Sequence, residues 1–120
     1  MQRPKSAGLA RVFRAFGASS RGFAGAFRGE AAFRQELAVA VVIIPLGLWL
    51  GEGGLEKAVL VAPMLLVLIV ELVNSAIETV VDRVGTEHHV LSGLAKDLAS
   101  AAVLASFALL ALTWILVLFF

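Results

Sequence analysis

The sequence predicts an all-α membrane protein, an N-terminal amphipathic surface helix followed by three transmembrane helices. Three observations lead there. Hydrophobic residues make up 60% and charged residues 16% of the 120 positions, and mean hydropathy is +0.94. Soluble domains hold roughly 45–50% apolar and about 25% charged residues. Three stretches also reach the roughly 20 mostly apolar residues that carry a helix across a bilayer. Finally, the basic residues segregate to one side of the resulting topology. A free soluble monomer is excluded, and so is a disordered chain, which requires low hydrophobicity. With no cysteine, a disulfide scaffold, a thiolate metal site and a cysteine nucleophile are excluded as well.

The elements follow in order. Residues 1–29 form a tail and a surface helix, and residues 30–120 form the membrane domain. Within 8–29, Leu9, Val12, Phe13, Phe16, Phe23 and Phe27 recur at helical spacing, interleaved with Arg11, Arg14, Arg21 and Arg28. That pattern suits a helix lying on an anionic leaflet. Gly17, Gly22 and Gly25 open the option of two shorter helices. A basic helix attached to three spans belongs at lipid rather than nucleic acid. The first span covers about 31–50, with Pro45 as a kink that a lipid-embedded helix tolerates. Gly51-Glu52-Gly53-Gly54 breaks the chain, and so short a break makes an antiparallel hairpin. The second span covers about 58–81, the third about 98–120, and a polar stretch from Asp82 to Asp97 joins them. A signal peptide is not expected, because the first apolar run starts too late.

Orientation follows from Lys and Arg. Arg3, Lys5, Arg11, Arg14, Arg21, Arg28, Arg34, Arg83 and Lys96 lie on one side, and Lys57 alone lies on the other. The first side is assigned as cytoplasmic, which places the N-terminus there and Phe120 on the far side.

The second span carries the chemistry. Glu71, Asn74, Ser75, Glu78 and Asp82 share one helical face, and Glu71 and Glu78 stand about 10 Å apart along the axis. A carboxylate at mid-membrane costs at least ~2.5 kcal/mol. A polar seam that only glues helices together is the plainer alternative, but two acids flanking an amide point to a site. Glu30, Lys96, Asp97 and Ser100 lie on the same side of the membrane. Carboxylates without thiols suit a hard cation such as Mg²⁺, commonly held by one or two carboxylates plus substrate phosphates. Arg and Lys suit phosphate oxygens. Together these suggest phosphoryl transfer at a membrane surface. Lys96 and Asp97 can also be read as a simple ion pair, His88 and His89 as solvated loop residues, and Trp49 and Trp114 as interfacial anchors. Gly17 to Gly22 has phosphate-loop spacing, but Phe23-Ala24 follows where Lys-Ser/Thr is required.

The segments EAAFRQE (30–36), VELVNSAIETVVDRVG (70–85) and LSGLAKDLASAAV (91–103) resemble the small prokaryotic diacylglycerol kinases. The likeness runs from about Arg11 into the third span. It implies a homotrimer in the bacterial cytoplasmic (inner) membrane that transfers the γ-phosphate of MgATP to diacylglycerol, giving phosphatidic acid, at sites shared between subunits. It implies Glu71 as general base with Asn74 beside it, and Glu30 and Glu78 as metal-binding carboxylates. Arg11, Glu30, Glu78, Glu87, His89, Lys96 and Asp97 match nucleotide contacts. Ser19, Arg34, Glu36, Trp49, Glu71 and Ser100 match positions near the lipid. Ala18 and Ser20 stand where diacylglycerol-specific members often carry aromatics, and His88 stands where Tyr is usual. Undecaprenol is the acceptor in a related branch, although Phe33-Arg34-Gln35-Glu36 resembles the diacylglycerol branch more. A small proton-coupled transporter using Glu71 as carrier, and a purely structural oligomer, are the readings from other classes.

Overall fold

In a computed structural model, which describes residues 7–85 and 88–120, the chain forms four helices. These are α1 (Ala7–Gly29), α2 (Ala31–Leu50), α3 (Gly53–Val84) and α4 (Val90–Phe119). Helices α2, α3 and α4 are each long and apolar enough to cross a membrane. At 1.5 Å per residue, the 32 residues of α3 run about 48 Å, well past an apolar core of about 30 Å.

Helix α1 is continuous, so the alternative of two shorter helices is not realised. Gly17, Gly22 and Gly25 lie inside it, each at a cost of about 1 kcal/mol against alanine. Its apolar row is largely exposed. Phe13, Phe16 and Phe23 are all more than half exposed, as a helix floating on lipid requires. Helix α1 packs against α2. The corner between them is Glu30, with extended backbone (φ −121°, ψ 106°). Arg34, in the second turn of α2, reaches back across this corner. Its Nη1 donates to the carbonyl oxygens of Phe27 (2.7 Å) and Arg28 (3.1 Å). Carbonyls at a helix C-terminus have no partner of their own and carry the negative end of the dipole. Arg34 therefore caps α1 and sets its angle to the bundle.

The turn between α2 and α3 is tighter than the four-residue break suggests: only Gly51 and Glu52 lie outside helices. Two glycines are needed there for different reasons. Gly53 has φ +81°, a left-handed conformation that favours glycine. At Gly51 a Cβ would sit 2.7 Å from Lys57 Cγ and 2.8 Å from the Lys57 backbone nitrogen, so no side chain fits.

Helix α3 is the centre of the bundle, packed along both α2 and α4. Leu60, Met64 and Val67 are fully buried in it, and Ala40 of α2 and Leu110 of α4 close over them. Gly47 lets α2 approach α3 closely: a Cβ there would lie 3.1 Å from Leu60 Cβ. Trp114 is not a free interfacial anchor. It is half-buried, and its indole Nε1–H donates to the Leu60 carbonyl at 2.9 Å. Pro63 lacks an N–H, and the ladder bond it removes is the one to Val59, the residue next to Leu60. The Leu60 carbonyl belongs to the ladder through residue 64, and the indole of Trp114 uses its second lone pair to tie α4 to α3.

The connection between α3 and α4 is also shorter than a loop from 82 to 97. Asp82, Lys96 and Asp97 are all helical. His89 is the N-cap of α4, its Nδ1 accepting from the Leu91 N–H at 3.0 Å.

Candidate active site

Helical periodicity turns Glu71 inward, and it is 4% exposed. The antiparallel α2–α3 hairpin sets Glu36 opposite it, 8% exposed, with the two carboxyl groups facing each other. Glu30 and Glu78 lie near enough for their charges to act on Glu71. One turn beyond Glu71 on the same face, Asn74 Nδ2 donates to Glu78 Oε1 at 3.3 Å. The amide thus holds the outer acid in place.

Unpaired atoms mark the same spot. Among the described residues, three buried side-chain atoms lack a hydrogen-bond partner: Glu36 Oε2, Asn74 Oδ1 and Ser75 Oγ. Buried polar atoms are nearly always paired, because leaving one unpaired costs about 1–3 kcal/mol. Here all three lie beside Glu71 or within one helical turn of it. Of the three residues, Ser75 lines a cavity of about 520 Å³ between α1 and α3. Its walls include Ser19, Phe23, Glu30, Leu72, Ser75 and Thr79. It is mostly apolar with a few polar groups, the usual make-up of a ligand site.

A second, smaller cavity of about 220 Å³ lies at the α3–α4 turn, between Asp82, His88, His89, Ser92 and Lys96. Lys96 pairs not with its neighbour Asp97 but with Asp82, Nζ to Oδ1 at 2.8 Å. Adjacent residues on a helix point in different directions, whereas the hairpin brings positions 82 and 96 level. Glu78 also lies near enough for its charge to act on Lys96.

Other expected site residues are dispersed within one chain. Arg11, Asp97 and Ser100 are exposed and line neither cavity. Trp49 is 79% exposed and stands thirteen residues beyond Glu36, about 20 Å along α2. Ser19 lines the larger cavity while its Oγ donates to the Ala15 carbonyl. Glu87 lies outside the described residues. Asp82 as the partner of Lys96, Arg34 as the cap of α1, and Ser75 as an unpaired hydroxyl are not apparent from residue spacing. The face pattern does place Asp82 and Ser75 in line with Glu71, and that is the signal that could have found them.

Among the described residues, no group of three or more His, Asp or Glu side chains is placed to hold a metal. An all-protein cage is absent there. Glu30 and Glu78, each close enough for its charge to act on Glu71, are of the donor type that suits a hard cation that keeps waters and shares substrate phosphates.

Known proteins identify the family. The family model described as prokaryotic diacylglycerol kinase matches residues 17–118, a range that takes in both cavities and all three spans. A diacylglycerol kinase of Pseudomonas aeruginosa is 50% identical over 107 residues, covering 89% of this chain and 87% of its own. One of Haemophilus influenzae is 44% identical over 116 residues (97% and 98%), and one of Escherichia coli K12 is 43% identical over 111 (92% and 91%). With matches of this extent laid over a membrane bundle and a cluster of acids, the chain belongs to the prokaryotic diacylglycerol kinase family.

Proposed function

We propose that this protein is a lipid kinase that transfers the γ-phosphate of ATP to 1,2-diacylglycerol, giving phosphatidic acid and ADP. The observation that carries the reading is the buried acid Glu71, within reach of the charges of Glu30 and Glu78, with Glu30 and the neighbouring Leu72 and Ser75 lining a cavity of polar and apolar groups. Glu71 accepts the proton of the lipid hydroxyl as the oxygen attacks the γ-phosphorus and the bond to the β-phosphate oxygen breaks. Asn74 fixes Glu78. Glu30 and Glu78 would hold Mg²⁺, which when bound neutralises phosphate charge. Lys96 contacts phosphate, and Arg11, Glu87, His89 and Asp97 complete the nucleotide contacts. Ser19, Arg34, Glu36, Trp49 and Ser100 lie along the lipid. Phosphoryl transfer needs mainly positioning and charge neutralisation, and these residue types supply both.

Location and assembly belong to the same proposal. The protein sits in the bacterial inner membrane, with α1 on the cytoplasmic face and Phe120 on the far side, as the basic residues direct. Three copies share their sites. That arrangement is supported by the exposure of Arg11, Asp97 and Ser100, which line neither cavity of a single chain.

The test is phosphate transfer from MgATP in mixed micelles, with a short-chain diacylglycerol and undecaprenol in parallel. Transfer to diacylglycerol that collapses in Glu71→Gln is the expected result. Transfer to undecaprenol alone would overturn the acceptor. Full activity of a folded Glu71→Gln protein would overturn the base.

A further inference from the structure

Helical serines and threonines usually satisfy their hydroxyls on the helix itself. Ser19, Ser20, Thr79, Ser106 and Thr113 all do so, donating to carbonyls three or four residues back. Ser75 does not. Its Oγ is buried and without a partner. It lines the cavity of about 520 Å³ between α1 and α3, one turn from Glu71. Beside it, Thr79 donates to the Ser75 carbonyl at 2.8 Å, which fixes the backbone but leaves the Ser75 hydroxyl free.

The three unpaired atoms around Glu71 are not equivalent. Glu36 Oε2 and Asn74 Oδ1 are a carboxyl and an amide oxygen, both of which accept. Ser75 Oγ alone is a hydroxyl, with a proton to donate at every pH. An acylglycerol brings two kinds of oxygen to such a site. Its free hydroxyl gives up a proton and needs an acceptor, which Glu71 provides. Its ester carbonyls only accept, and they need a donor. The hydroxyl and the nearest ester carbonyl are a few bonds apart. Positions 71 and 75 stand on neighbouring turns, with Cβ atoms about 5–6 Å apart.

We propose that the Ser75 hydroxyl recognises an ester carbonyl of the acceptor lipid and so selects acylglycerols over alcohols that have no carbonyl beside the hydroxyl. The inference rests on the kinase reading above and deepens it. A site that hydrogen-bonds a substrate group discriminates against analogues lacking it, because its own polar atom is then left unpaired. A polyprenol is such an analogue, having one hydroxyl and a hydrocarbon chain.

The experiment compares 1,2-diacylglycerol with the 1,2-dialkyl ether of the same chain lengths, which keeps the hydroxyl and loses both carbonyls. For the wild type, kcat/KM favours the diacyl lipid. Ser75→Ala lowers the diacyl-to-dialkyl ratio about five- to tenfold, as expected for one neutral hydrogen bond. Ser75→Thr, which keeps a hydroxyl, retains the ratio. A wild type that uses both lipids equally, or equal losses on both in Ser75→Ala, overturns the Ser75 assignment and leaves the kinase reading standing. Transfer by the wild type to neither lipid overturns the kinase reading, and the assignment with it.

Discussion

The two halves of α3 are built to opposite specifications. Around Leu60 and Met64 everything is matched. Both side chains are fully buried, Gly47 makes room for Leu60, and the Leu60 carbonyl also accepts from Trp114 of α4. Around Glu71, two to three turns on, burial continues but matching stops. Two carboxyl groups face each other, and three buried oxygens have no partner. The first half spends its residues on stability. The second carries a free-energy cost that packing alone does not recover, which is the mark of a site waiting for a ligand.

Substitutions in the two halves should therefore separate activity from stability. The largest effect is expected at Glu71→Gln, which keeps shape and removes the proton acceptor. Transfer to diacylglycerol should fall about 10²- to 10⁴-fold, with thermal unfolding of the detergent-solubilised protein little changed. If unfolding moved and specific activity did not, the contrast between the halves would be broken. Met64→Ala is the mirror experiment. Loss of a fully buried side chain should cost about 2–5 kcal/mol, read by chemical denaturation, while the activity per folded molecule holds. At Gly51→Ala the new Cβ meets the Lys57 backbone, and the hairpin should lose about 1–3 kcal/mol. Trp114→Phe keeps an aromatic ring but removes the donor to Leu60 and part of the indole packed against the core, for a loss of about 1–3 kcal/mol in the same assay. The smallest effect on stability is expected at Asp82→Asn. Lys96 and Asp82 are both well exposed (45% and 63%), and exposed pairs add little. Its consequence should instead be a higher KM for MgATP, because Lys96 loses the group that holds it.

Much of this arrangement was legible residue by residue. The run of apolar residues from 58 to 70 had to be a span, since nothing else accommodates it. Glu71, Asn74, Ser75 and Glu78 had to share a face, because helical geometry is set by the backbone alone. The corrections arose where two segments meet. Lys96 was read beside Asp97, its neighbour in the chain, yet it binds Asp82 across the hairpin. Trp114 was read as an anchor at the membrane surface, yet it serves a carbonyl of another helix. Helix α1 was open to division at its glycines, yet it runs unbroken to Gly29, where Arg34 closes it.

The sequence by itself determined that this is a membrane protein with three spans, a basic surface helix and an acidic face on the second span. Those are properties of periodicity and composition, which each segment carries alone. Tertiary structure decided that Glu36 meets Glu71, that Arg34 caps α1, and that Ser75 is left unpaired at the wall of a cavity. A partner is a matter of register between helices. Register is set by features such as the Gly51–Glu52 turn and the Gly47–Leu60 contact, whose effect appears only once the helices are packed.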